Sequence, residues 1–306
     1  MRKFVAALIT GTLLTACAST EQNSAEQGTA VTLYKAQMIS GAKPAENTEK
    51  VHSTNHNDEF VIQISQPSLT AYLPDAANRS DKAVIICPGG GYFGLSMLKE
   101  GQQVAQRFAQ NGISAFVLKY RMPSDTWMED KSVGPLQDVQ QAIAQVKSQA
   151  ADWGINPQKV GIMGFSAGGH LAASAATHYD NPVNHGYSAH QVKPNFQILV
   201  YPVISMQPLI THKGSRTNLL GENPTGEQID RFSNELNVSE TAPPAFIVHS
   251  TDDVVVPVAN ALVYYRALVD NQVPALLTIL PDGNHGYGMR HPIDWFEQLL
   301  NWLETQ

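Results

Sequence analysis

Only two cysteines, Cys17 and Cys87, occur in 306 residues. A disulfide framework therefore cannot hold the chain together, and its stability must come from a packed core. Charge is also scarce: Asp, Glu, Lys and Arg make up 15% of the chain, and Lys and Arg never gather into runs. With a formal net charge of −7, the basic face that a nucleic-acid partner demands is missing. No apolar stretch of about 20 residues lies beyond the N-terminus, so nothing in the body of the chain can span a bilayer. The ten histidines form no HExxH pair and no tight ligand cluster, so neither metal nor other cofactor is expected. There is no internal repeat. What is abundant is apolar residues, 43% of the total, enough for one large domain.

The first residues have the layout of a targeting signal. Arg2 and Lys3 are followed by an apolar stretch, Phe4 to Leu14, too short for a comfortable transmembrane helix. It ends in Leu14-Thr15-Ala16-Cys17, which resembles the lipobox of bacterial lipoproteins. That resemblance implies cleavage after residue 16, lipidation of Cys17, and anchoring to a membrane of the cell envelope by several acyl chains. Ala18 in place of Asp points by analogy to the outer membrane. The organisation expected is a signal peptide over 1–16, then the lipidated Cys17 with a polar tether and N-terminal extension to residue 58, then a catalytic domain over 59–306. Within the extension, Ala45 to Asp58 is expected to loop over the surface. Cys87 is expected to be a small buried hydrophobe.

From residue 60 the patterns alternate. Apolar runs such as Ala83 to Cys87, Ile113 to Leu118, Val160 to Met163, Phe196 to Tyr201, Ala245 to His249 and Leu276 to Leu280 have the length and composition of buried strands. Between them, apolar residues recur at helical spacing, as in Leu136, Val139, Ile143 and Val146. Alternating strands and helices with continuously apolar strands predict an α/β fold: a mostly parallel twisted sheet with helices on both faces. Residues 203–243 interrupt the rhythm and are expected to form a cap near the site.

Gly164-Phe165-Ser166-Ala167-Gly168 follows an apolar strand and precedes a helix. This is the setting of a nucleophile elbow, in which a serine sits on a tight strand-to-helix turn. A serine hydroxyl needs a base, and the base needs an acid to orient it. In this fold the three follow in the order Ser, Asp, His. His285 lies on the loop Pro281-Asp282-Gly283-Asn284-His285-Gly286 and is the expected base. The acid lies after the preceding strand, at Asp252 or Asp253; adjacent side chains point apart, and local sequence does not decide between them. Asp282 is too close to His285 in sequence to orient it. Upstream, Cys87-Pro88-Gly89-Gly90-Gly91-Tyr92 supplies a glycine turn after a strand. Its amides at Gly90 and Gly91, with that of Ala167, are the expected donors to a tetrahedral oxyanion, each worth about 2.7–4 kcal/mol. Tyr92, Trp127 and Tyr287 are candidates to flank the substrate. His170 and His249 are expected to be structural.

Pro88-Gly89-Gly90-Gly91-Tyr92, Glu100-Gly101, Val117 to Pro123, Gly164 to His170 and the two triad loops together resemble a bacterial esterase family. It contains acetylxylan esterases and bifunctional feruloyl and acetylxylan esterases, within the esterase and lipase group related to hormone-sensitive lipase. The resemblance spans roughly residues 60–306. It implies the α/β-hydrolase fold, Ser166 and His285 as nucleophile and base, Asp252 as the acid, and an acylated polysaccharide or oligosaccharide as substrate. Two competing expectations are a serine peptidase of the prolyl-oligopeptidase type and a non-catalytic carbohydrate-binding protein on the same scaffold. Against the first, only residues 17–87 precede the glycine motif, where that group carries a propeller. Against the second, every member of the triad is present.

Overall fold

In the computed structural model, residues 29–31, 46–55 and 58–306 are described. The expected signal peptide, Cys17 and most of the expected tether lie outside the described residues. Among the described residues the first elements are β1 (Thr29–Val31), β2 (Lys50–Asn55), β3 (Asp58–Ile62), β4 (Ser68–Tyr72), β5 (Ala83–Cys87) and β6 (Gly94–Ser96). A π-helical turn (Leu98–Gln102) leads into α1 (Gln103–Gln110), then β7 (Ser114–Lys119), α2 (Gly134–Ser148), β8 (Val160–Phe165), α3 (Ser166–Thr177) and the short α4 (Ala189–Val192). After β9 (Gln197–Val200) come α5 (Lys213–Leu220) and α6 (Gly226–Phe232), and β10 (Ala245–Ser250), α7 (Ala259–Asp270), β11 (Ala275–Leu280) and α8 (Trp295–Leu303) complete the order.

Among the described residues, eight strands form the main sheet in the order β1-β4-β7-β5-β8-β9-β10-β11. Pairing is parallel from β7 through β11, and antiparallel where β4 meets β1 and β7. The apolar strand runs arise because both faces are covered. Ile85, Phe116, Leu118 and Ile162 pack with Leu136, Ile143, Leu171 and Tyr264 from α2, α3 and α7. Their neighbours Val84, Ile86, Val117 and Met163 face Phe108, Phe296 and Leu299 from α1 and α8. This is the two-residue period of a strand read on both sides at once. Cys87 is buried in the first of these layers.

The chain leaves β5 for β7 on one side and later returns to β8 on the other. The carboxyl ends of β5 and β8 therefore border a topological switch point, where open α/β sheets bind ligands. Beside it lies a second, three-stranded antiparallel sheet, β2-β3-β6. The sequence reading missed β2, treating residues 45–58 as a surface loop. Its residues Lys50 to Thr54 are exposed and, apart from Val51, polar, so no apolar alternation marks it, and its pairing with β3 is what makes it a strand. The segment 203–243 lacks strands but holds α5 and α6. The latter starts in a capping box between Thr225 and Gln228, and α5 stops at Gly221 with φ 92°.

His170, on α3, ties these parts together from a fully buried position. Its Nε2 donates to the Phe232 carbonyl at the end of α6, 2.8 Å away. Its Nδ1 then accepts from the Tyr92 hydroxyl at 2.8 Å. Burial, with the charge on His178 adding to it, pushes the His170 pKa down from its usual 6.5 to about 4, against the opposing effect of the Phe232 hydrogen bond. The folded state thus binds fewer protons than the unfolded chain between those values. The resulting stability is full above pH 6.5 and is lost as pH falls toward 4, by on the order of 3 kcal/mol. Urea unfolding at pH 7 and pH 4.5 should show this slope, and His170→Gln should flatten it; an unchanged slope would remove His170 as its source.

Candidate active site

Strand β8 ends at Phe165, and α3 begins at once with Ser166, whose φ is +53°. A left-handed serine costs about 1–3 kcal/mol and persists only where its surroundings fix it. They do so through close backbone contact. A β-carbon on Gly164 would lie 2.0 Å from the Gly168 carbonyl oxygen, and one on Gly168 would lie 2.1 Å from that of Cys87. Both positions must be glycine for the turn to close against β5. Ser166 Oγ then projects over the carboxyl ends of β5 and β8, 2.9 Å from Nε2 of His285.

His285 follows β11, and its Nδ1 lies 2.6 Å from Oδ2 of Asp253. The expectation that Asp252 orients the base is therefore corrected: Asp253 does. The loop after β10 turns so that Asp253 Oδ1 accepts the amides of Val255 and Val256, at 2.9 and 2.8 Å, which aims its other oxygen inward. Asp252 points the opposite way and is exposed; its Oδ1 accepts the Asn284 amide at 2.7 Å and steadies the loop that carries His285. Asp282 is exposed, its carbonyl accepting from His291 Nε2 at 2.9 Å.

A second histidine meets the same carboxylate. His249, fully buried on β10, places Nε2 3.0 Å from Asp253 Oδ2 and 2.9 Å from the Val256 carbonyl. Burial works to raise the Asp253 pKa, but the hydrogen bonds from His249 and His285 outweigh it and hold the group far below the usual carboxylate range. Asp253 is thus an anion at any pH where His285 can act as a base. The sequence reading took His249 for a buried strand residue; the signal available was its position four residues before the acid.

The glycine turn lies against the nucleophile. Gly89, Gly90 and Gly91 divide the work. The Gly89 amide donates to Glu100 Oε2 at 2.8 Å. Those of Gly90 and Gly91 have no acceptor among the described residues, and both residues line the cavity in front of Ser166 and His285. Ala167 is the second residue of α3, so its amide is one of the helix's unpaired N-terminal donors. Glu100 was visible in the sequence without a role. In the π-helical turn it is buried, and its other oxygen accepts the Tyr201 hydroxyl at 2.9 Å. That hydroxyl accepts the Gly288 amide at 3.0 Å, and the Tyr201 ring packs 4.8 Å from His285. Glu100 and Tyr201 thereby couple the glycine turn to the His285 loop. Burial raises the Glu100 pKa, opposed by the charge on Lys99 and by these hydrogen bonds.

The three aromatic candidates do not line the cavity. Tyr92 is turned inward onto His170. Trp127 donates its Nε1 to the Met122 carbonyl at 3.0 Å. Tyr287 is buried edge-on against Tyr201, at 4.6 Å. In their place stand Phe60, from β3, and Phe93, just after the glycine turn. The cavity, about 430 Å³, is closed on another side by His212 and Asn218 of the 203–243 segment. Asn218 Nδ2 donates to the Gly91 carbonyl at 2.8 Å, so this cap holds the glycine turn as well as walling the site.

Comparison with known proteins adds relatives to this geometry. The profile of the BD-FAE family matches residues 69–268, a span that holds Ser166 and Asp253 and stops short of His285. An acetylxylan esterase from Xylanibacter ruminicola is 38% identical over 266 residues, covering 84% of this chain and 51% of that protein. Endo-1,4-beta-xylanase B from Butyrivibrio fibrisolvens is 36% identical over 222 residues, covering 72% of this chain and 34% of that one. The chain thus spans about half or less of the length of these two relatives. Among solved structures, an acetyl ester-xyloside bifunctional hydrolase from Caldicellulosiruptor lactoaceticus matches with a TM-score of 0.71 and 35% identity, over 78% of this chain and 88% of that one. MGS-M1, an alpha/beta hydrolase from a deep-sea metagenome, matches with a TM-score of 0.60 and 26% identity, over 78% and 92%. The fold is that of the α/β hydrolases.

The two adjacent aspartates give opposed expectations. Asp253→Asn should lower kcat for p-nitrophenyl acetate by about 10⁴, because an amide favours the wrong His285 tautomer. Asp252→Asn, which keeps an oxygen for the Asn284 amide, should cost less than about tenfold. The reverse ranking would return the acid role to Asp252.

Proposed function

The chain belongs to the BD-FAE family, and on that premise we propose that it is a carboxylic ester hydrolase releasing acetyl groups, and feruloyl groups as a second class, from xylan-type polysaccharide. The observation that carries the reading is the hydrogen-bonded line from Ser166 Oγ through His285 to Asp253, at 2.9 and 2.6 Å, facing a turn with open amides. The substrate class is supported by the named activities of the relatives, an acetylxylan esterase and an acetyl ester-xyloside hydrolase.

In this mechanism His285 Nε2 takes the Ser166 proton as Oγ attacks the ester carbonyl carbon. The carbonyl oxygen becomes an oxyanion stabilised by the amides of Gly90, Gly91 and Ala167. Asp253 holds the Nδ1–H tautomer and stabilises the imidazolium. The tetrahedral intermediate collapses as His285 returns the proton to the departing sugar hydroxyl oxygen. Water, deprotonated by His285, then attacks the acyl-serine, and the acid leaves with Ser166 regenerated. Every group needed for acyl transfer is a side chain or amide of this chain.

Acetate release from acetylated xylan should be readily measurable for the wild-type protein and fall by at least about 10³ in Ser166→Ala. Cleavage of p-nitrophenyl acetate through Ser166 with no release from xylan would keep the esterase and discard the polysaccharide. We also propose that Cys17 carries the lipid that holds the enzyme at the cell envelope, a reading supported by Arg2, Lys3 and the Leu14-to-Cys17 sequence alone. The full chain expressed in a Gram-negative host should sediment with the outer membrane, and Cys17→Ser should release it; sedimentation unaffected by the substitution would sink the anchor.

A further inference from the structure

Two walls of the cavity stand directly on the two glycines assigned to the oxyanion. A β-carbon at Gly90 would lie 3.0 Å from the Phe60 ring, and one at Gly91 would lie 3.8 Å from Cε1 of His212. Whatever these walls recognise is therefore joined closely to the reacting carbonyl.

The first wall is an aromatic pair. Phe93 is 54% exposed, a large apolar side chain in water at the mouth of the site. Its ring stacks on Phe60 with centroids 6.4 Å apart and planes 23° from parallel. His52 meets both edge-on, at 6.3 and 6.2 Å. Phe60 in turn leaves no room for a side chain on Gly94, where a β-carbon would come within 2.6 Å of its ring. The pair is thus a fixed shelf seated on the glycine turn, with Phe93 as its uncovered part.

The second wall is a hydrogen-bond donor. His212 Nδ1 accepts the Ser215 amide at 3.3 Å and lies 2.8 Å from the Ser215 hydroxyl. With Nδ1 acting as an acceptor, the ring proton resides on Nε2. Burial, followed by the charge on His285, lowers the His212 pKa, so the ring is neutral near pH 7 and keeps this tautomer. No described residue accepts from Nε2.

A flat apolar shelf facing an N–H donor fits a pyranose, which presents a C–H face to one and a hydroxyl to the other. In an acetyl ester the acyl side offers only a methyl group, so the ring must belong to the alcohol. We propose that Phe60, Phe93 and His212 form the subsite for the sugar ring bearing the ester, an inference that rests on the reading of the enzyme as a xylan-type esterase. Phe93 stacks on the ring and His212 Nε2 donates to a ring hydroxyl.

The test compares kcat/KM for a mono-acetylated xylo-oligosaccharide with that for methyl acetate, which has no ring. Phe93→Ala should lower the ratio about tenfold, through KM, in line with the loss of one aromatic contact. His212→Ala should lower it similarly, and His212→Gln, which retains an N–H donor, should recover part of the loss. An unchanged ratio in Phe93→Ala, with the oligosaccharide still hydrolysed by wild type, would sink the subsite and leave the esterase standing. Selective loss on methyl ferulate would assign the shelf to an aromatic acyl group instead, overturning the proposal. An equal fall in kcat on both acetyl esters in His212→Ala would make that residue an oxyanion donor and remove it from the subsite. A wild-type enzyme that cleaves methyl acetate but not the oligosaccharide would end both the polysaccharide reading and the subsite.

Discussion

The arrangement of the site depends on how closely the turn at Ser166 is pressed against the end of β5. With Gly168 almost touching the Cys87 carbonyl oxygen and Gly164 facing Gly168, the left-handed φ of Ser166 has no easier alternative. The same contact fixes the distance between the nucleophile and the amides of Gly90 and Gly91, which leave β5 immediately above it. Neither element could be moved without opening the parallel pairing of β5 with β8, which sits at the centre of the sheet. Local strain at Ser166 is thus offset by the packing of two buried layers, a common division between a rigid core and a strained functional residue.

The other parts of the site reach this junction through hydrogen bonds between loops. Glu100 and Tyr201 link the glycine turn to the loop of His285. Asn284 links that loop to the one carrying the acid, through Asp252 and through the Ser250 hydroxyl, which donates to the Asn284 carbonyl. The cap joins at Gly91 through Asn218 and at His170 through the Phe232 carbonyl. Four separate excursions from the sheet therefore act as one unit, and a change in one is transmitted to atoms that face the substrate.

The sequence revealed most of this where physical constraint leaves few choices. Glycines at 164 and 168 around a serine, after a continuously apolar strand, admit little but a tight turn. The strands were legible because both faces of the sheet are covered, and their ends agree with those of β5, β8, β10 and β11 to within a residue or two. Where several local solutions are allowed, the sequence was silent or misleading. Asp252 and Asp253 differ only in which way the loop turns, and the two valine amides that decide it are not visible as a pattern. Tyr92 was a candidate to flank the substrate. Its left-handed φ of 58° turns it inward, and Phe93 takes the rim. Strand β2 is exposed and polar apart from Val51, and only its partner β3 makes it a strand. Phe60 acquires meaning only once that hairpin lies beside the glycine turn.

The acid of the triad is held more firmly than its role as a hydrogen-bond acceptor requires. Its Oδ2 faces His249 and His285, and its Oδ1 takes two backbone amides. Rotating the carboxylate about its own bond would disrupt all four contacts at once. Asp253 accordingly enters each turnover with its torsional entropy already surrendered during folding, and the imidazolium forms against an anion that is already in place. What the arrangement sacrifices is adaptability. A displaced base could not be followed by its acid, so drift in the His285 loop is penalised in rate.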